Sequence, residues 1–131
     1  MLHPKQFEVN DARIAFRLNN APIRTERDGD FNCIALMDAA SCFILGAEFV
    51  SVTSSEPSET EVKQLIECGK SHSQQLPKTL YIPENQAADV LCTEAERNGI
   101  VVVRVPEEQL LVFIGEAREG LKEHIGGGSV Q

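Results

Sequence analysis

Two apolar runs, Phe31–Met37 and Cys42–Val52, stand only Asp38-Ala39-Ala40-Ser41 apart. So short a link leaves two strands of this length no course except to fold back as an antiparallel hairpin. With Ala39-Ala40 as the tip, Leu36 would oppose Phe43 and Ile34 would oppose Leu45. One face would then carry Ile34, Leu36, Phe43, Leu45, Ala47 and Phe49, and the other Cys33, Ala35, Met37, Ile44, Val50 and Val52. Apolar residues on both faces are the pattern of central strands covered on two sides. Ala-Ala is not a favoured two-residue tip; the alternative is a loop of about three to five residues with a shifted register.

Beyond the hairpin, helical and strand periods alternate. Ser58 with Glu61 forms a capping box, and Val62, Leu65, Ile66 and Gly69 give the helix that follows its buried stripe. Pro77 ends this segment and Thr79–Ile82 reads as a short strand. Asn85 is the predicted N-cap of a second helix with Ala88, Leu91, Cys92 and Ala95 on one face, closed by Asn98-Gly99. Ile100–Val105, apolar and β-branched, predicts a buried parallel strand. A third helix is expected over residues 106–125, with Leu110, Ile114, Ala117, Leu121 and Ile125 in one stripe. Upstream of the hairpin, residues 1–10 carry no period and are expected on the surface. Asp11–Leu18 alternates as a short, half-exposed strand, and Asn19–Asp30 reads as loop. The organisation expected is an N-terminal segment 1–30 with room for one extra strand, an α/β domain 31–125 of order β-β-α-β-α-β-α, and a flexible tail 126–131. An opening hairpin followed by crossovers makes the sheet mixed.

A chain of 131 residues is one domain and needs no disulfide or metal to fold. Its 20 acidic and 12 basic residues leave a formal charge of −8. That field opposes phosphate, and no run of Lys or Arg offsets it, so nucleic acid and anionic membrane surfaces are disfavoured as partners. No apolar run is long enough to span a bilayer, and Met-Leu-His-Pro-Lys-Gln-Phe-Glu lacks the apolar centre of a signal peptide. The expectation is a cytoplasmic protein. Cys33, Cys42, Cys68 and Cys92 form no C-x-x-C pair and lie in apolar segments, which predicts buried, inert thiols in place of zinc or disulfides.

Ligands of open α/β sheets collect beyond the carboxyl ends of the parallel strands. Asp38, Glu84, Glu107 and Glu108 follow predicted strands. If the first hairpin strand ran parallel to the later ones, these groups would converge, and Asp38 with Glu84 could hold Mg²⁺ or Mn²⁺. Each also has a purely structural use. Asp is a favoured first residue of a turn, and Glu84, Glu107 and Glu108 lie where negative charge suits a helix N-terminus. No other cofactor is indicated: G-x-G-x-x-G and G-K-[ST] are absent, and His3, His72 and His124 stand far apart.

The stretch Leu36-Met37-Asp38-Ala39-Ala40-Ser41-Cys42-Phe43-Ile44-Leu45-Gly46 resembles the first hairpin of the retroviral-integrase and transposase core, a branch of the ribonuclease H-like fold. There an Asp ends the first strand, a Ser follows at the turn, and the second strand starts apolar and reaches a Gly. Tyr81-Ile82-Pro83-Glu84-Asn85 is similar to that family's second acidic site, an Asp-Asn after the fourth strand. The resemblance spans Phe31–Ile125, and is closer in texture to uncharacterised bacterial domains that keep the scaffold without its chemistry. It implies a ribonuclease H-like three-layer fold. The family uses three strands before its first helix, so Asp11–Leu18 or an extension of Cys42–Val52 must stand in. Glu116 and Glu119 fall off the stripe of the last helix and should face solvent. The expected function is a non-catalytic protein-interaction or regulatory module. Its partner would be another protein or a second copy in a homodimer, with any exposed remainder of the apolar run Leu110–Ile114 as an interface; the other reading of that run is a helix packed on two sides, which needs so wide an apolar arc. The alternative is a metal-dependent nuclease or phosphoryl-transfer enzyme using Asp38, Glu84 and Glu107 or Glu108.

Overall fold

Strand β3 (Asp30–Asp38) is the axis of the molecule, hydrogen-bonded along both edges. On one side lies β4 (Ile44–Ser51), antiparallel. On the other lie β1 (Ala12–Arg17) and, end to end with it, the two-residue β2 (Ile23–Arg24), both antiparallel to β3. Then β5 (Thr79–Pro83) pairs parallel to β1, and β6 (Val101–Val105) parallel to β5. The six-stranded mixed sheet thus runs β4, β3, β1, β5, β6, with β2 extending the β1 position. The computed structural model describes residues 1–19, 23–24, 29–54 and 56–119. Leu121, Ile125 and the expected tail 126–131 lie outside them.

Helices α1 (Glu59–Ser73) and α2 (Asp89–Arg97) cover one face, burying Val62, Leu65 and Leu91 on Leu36, Leu80 and Ile82. The other face is covered by a 3-10 turn (Glu107–Leu110) running into helix α3 (residues 111–119). Leu110, Phe113 and Ile114 pack there on Ile14, Phe16 and Met37. Ser58 caps α1 as the capping box predicts: its side chain accepts from Glu61 N, while Glu61 Oε1 accepts from Ser58 N at 2.9 Å. The buried residues of α1 are the four of the predicted stripe.

The fold departs from expectation at several points. Residues 1–10 do lie at the surface, none of them buried, but they are docked there: Leu2 N donates to Gln109 O, and Phe7 meets Tyr81 and Phe113 edge-on or tilted. Strand β1 is central, and even Arg13 is 1% exposed. The hairpin loop is the longer alternative, so Leu36 opposes Gly46 and Ile34 opposes Glu48, with a bulge between Leu36 and Met37. Neither β4 nor β6 is a central strand: among the described residues each has one neighbour. Phe49 and Val101 accordingly stay 58% and 61% exposed. Helix α2 begins at Asp89 after Ala88. Asn85 lies in the preceding turn, where Gln86 N donates to Pro83 O.

Candidate functional site

Asp38 closes β3 and is 2% exposed. Its Oδ1 accepts from Asn10 N at 2.9 Å, and its Oδ2 accepts from Ser41 N at 2.9 Å and Ser41 Oγ at 2.7 Å. Its backbone carbonyl accepts from Cys42 N at 2.8 Å. Both carboxylate oxygens are therefore engaged in pinning the hairpin loop and the segment before β1. Arg13, directly across the ladder, adds an attractive charge; burial lowers the guanidinium pKa and Asp38 raises it.

The other three acids lie at the opposite end of the sheet. Asp38 is level with Arg13 on β1, and Arg13 with Leu80 on β5. Glu84 is four residues further along the strand direction, roughly 13 Å at the rise of a β-strand. Two such carboxyls cannot share an ion at contact distances of about 2.0–2.6 Å. Strand β3 runs antiparallel to β1, so the condition for convergence is not met. Around the carboxyl ends of β1, β5 and β6 the structure places arginines. Arg104 donates to the carbonyls of Pro83, Glu84 and Gln86. Arg118 bonds Glu107 Oε1 at 3.1 Å and Arg17 O at 2.9 Å. Glu107 is thus neutralised, while Glu84 and Glu108 are exposed. Arg17, Asn85, Gln86, Glu107 and Arg118 surround a polar hollow of about 130 Å³. Among the described residues, no three His, Cys, Asp or Glu side chains cluster closely enough to hold a metal ion. Glu116 and Glu119 face solvent as expected.

The remaining candidate surface is the outer edge of β4, which pairs with no other strand among the described residues. Asn19 Oδ1 accepts from Cys33 N, and Leu18 N donates to Cys33 O, so Cys33 spends both backbone groups on the side away from β4. Phe49, opposite Cys33, must then turn its own N–H and C=O outward, and Ala47 does the same by antiparallel alternation. Their side chains lie on the α3 face with Ile44, all three exposed. At the loop end Phe43, 52% exposed, stacks on His72 with ring centroids 4.8 Å apart. The α1 side of this edge is a groove lined by Leu45, Glu48, Gln64, Glu67, Cys68 and His72, with no Lys or Arg. On the α3 side, Glu116 and Glu119 stand over Met37, Cys42 and Ile44. Burial, and then the charge of Glu61, pushes the Glu48 carboxyl above its ordinary range.

Only Cys33 is buried as expected; Cys42 and Cys92 are half-buried and Cys68 is exposed, and burial pushes the Cys33 and Cys42 thiols up. No helix among the described residues is long and apolar enough to cross a membrane. What the sequence concealed was the edge: an apolar run gives no sign of whether a second strand lies beyond it. The one legible signal was Glu48, a charge in the middle of the run. No protein-family model matches the chain, and no curated protein is significantly similar to it.

Proposed function

We propose that this chain is a non-catalytic protein-interaction module on a ribonuclease H-like scaffold, working in the cytoplasm. The observation that carries the interaction reading is the outer edge of β4, unpaired among the described residues, where Ile44, Ala47 and Phe49 are exposed on one face of the sheet. Apolar side chains along an outer strand edge that lacks a partner strand are a liability unless something covers them. The strand arrangement supports the scaffold: four strands precede α1, with β1 and its extension β2 both antiparallel to β3 and β3 antiparallel to β4, and two parallel strands follow on the far side of β1. In that frame β1 takes the first-strand position and β3–β4 the second and third. The family's first acid would then fall on β1, whose residues Ala12–Arg17 include no Asp or Glu. The four cysteines, all unbridged, suit a reducing compartment.

Thermal unfolding with and without Mg²⁺ or Mn²⁺, run beside a nucleic-acid cleavage assay, tests the non-catalytic part. The expected result is no metal response and no cleavage. Asp38→Asn, which turns an amide toward backbone donors, should lose about 1–3 kcal/mol whether or not metal is present. A metal-dependent rise in the midpoint, or cleavage that Asp38→Asn abolishes, would overturn the reading.

A further inference from the structure

We infer that the outer edge of β4 is a strand-addition site for an extended peptide segment of another protein, in which basic and apolar residues alternate. The inference rests on the protein-interaction reading and specifies its partner. Three features of the edge determine the ligand. Ala47 and Phe49 present outward N–H and C=O groups, which an added strand satisfies along its whole backbone. Side chains of an added strand alternate between the two faces of the sheet. On the α1 face they would lie beside Glu48 and Glu67, in a groove with no cation of its own. On the α3 face they would lie beside Ala47 and Phe49, which are apolar and uncovered. The complement is Lys or Arg on one face and Val, Ile or Leu on the other.

A second copy of this chain fits the edge poorly. Pairing β4 with itself about Ala47 would set two Glu48 carboxylates on the same face of one ladder, between chains of formal charge −8 each. Glu48 already sits beside Glu61 with its carboxyl pushed up, and an incoming ammonium would relieve that position where a second carboxylate would burden it.

The test uses the full chain and a fluorescein-labelled peptide of alternating Val and Lys. Controls are the same peptide with Glu for Lys, and with N-methyl groups on the residues whose N–H groups would face β4. Anisotropy should show saturable binding of the Lys peptide, weakened at least tenfold by N-methylation and by Lys-to-Glu exchange. Ala47→Pro removes an outward N–H that β3 does not use, so it should abolish binding while the far-ultraviolet dichroism is unchanged. Glu48→Lys should transfer preference to the Glu peptide, which gives a gain of function where Ala47→Pro gives a loss. Equal binding of the Lys and Glu peptides, or full binding of the N-methylated one, would overturn the proposal. So would sedimentation showing a dimer that Phe49→Glu dissociates, because the edge would then belong to a second copy. Failure here is distinct from failure of the non-catalytic reading, which the cleavage and metal measurements decide alone.

Discussion

Asp38 and Glu48 sit on adjacent strands and illustrate two fates of a carboxylate in one sheet. Asp38 receives three hydrogen bonds, which tie the hairpin loop and the Asn10 segment to the end of β3. Glu48 lies on the α1 face of β4, where burial and Glu61 both favour the protonated form. A carboxyl whose folded pKa is raised holds more protons in the native than in the unfolded state. The native state is therefore favoured at low pH, and this advantage is lost as pH rises from the ordinary value of 4.5 through the raised folded value. Glu48→Gln removes the charge, so it should raise the thermal midpoint at neutral pH and lose that gain below the ordinary carboxyl range. Melting both proteins across pH reads this directly. A variant less stable than the parent at neutral pH would show that the Glu48 carboxylate is held by attraction. The turn role of Asp38 was legible in the sequence from its position before Ala39-Ala40-Ser41. Its full burial was not, because the Asn10 amide that reaches it comes from a segment with no periodicity.

Helix α1 shows how closely element and tertiary contact are joined. Gly69 lies in its buried stripe, where a Cβ would stand 2.6 Å from Arg13 Nη1 and 3.0 Å from Leu36 Cδ2. The guanidinium has little freedom to withdraw, since its Nη2 donates to Ser73 Oγ at 2.6 Å and Gln75 O at 2.9 Å. Gly69→Ala should therefore cost about 1–3 kcal/mol by overpacking, although helix propensity alone would reward it by about 1 kcal/mol. Chemical denaturation decides which effect wins; a net gain would mean that Arg13 moves aside freely. Elements with local punctuation were legible: the Ser58–Glu61 box placed α1, and the stripe Val62, Leu65, Ile66, Gly69 gave its buried face. Asn85 misplaced the start of α2 because a good capping residue also serves in a turn, and Arg104 holds this turn through its carbonyls. β4 and β6 differ from their sequence pattern for another reason. Both-face hydrophobicity reports what could be covered, whereas coverage depends on strand order, which the local pattern does not encode.

Across the whole molecule, one topological fact reorganises the functional picture. Asp11–Leu18, which reads as a half-exposed strand, is the centre of the sheet, and β3 runs against it. That sends Asp38 to one end and Glu84, Glu107 and Glu108 to the other, where Arg104 and Arg118 hold the neighbouring carbonyls and Glu107. It also makes β4 an outer strand, with Ala47 and Phe49 on the α3 face of its outer edge, Glu48 on the α1 face, and Glu116 and Glu119 near Ile44 at the loop end. The formal charge of −8 points the same way, toward a cationic partner and away from phosphate. Amide hydrogen exchange resolved by residue tests this account most directly. In the free protein, Ala47 and Phe49 should exchange fast while the intervening Glu48, whose N–H faces β3, is protected. Saturating alternating Val-Lys peptide should slow Ala47 and Phe49 at least tenfold. Protection of Ala47 and Phe49 in the dilute free chain, or exchange unaltered by the peptide, would contradict it.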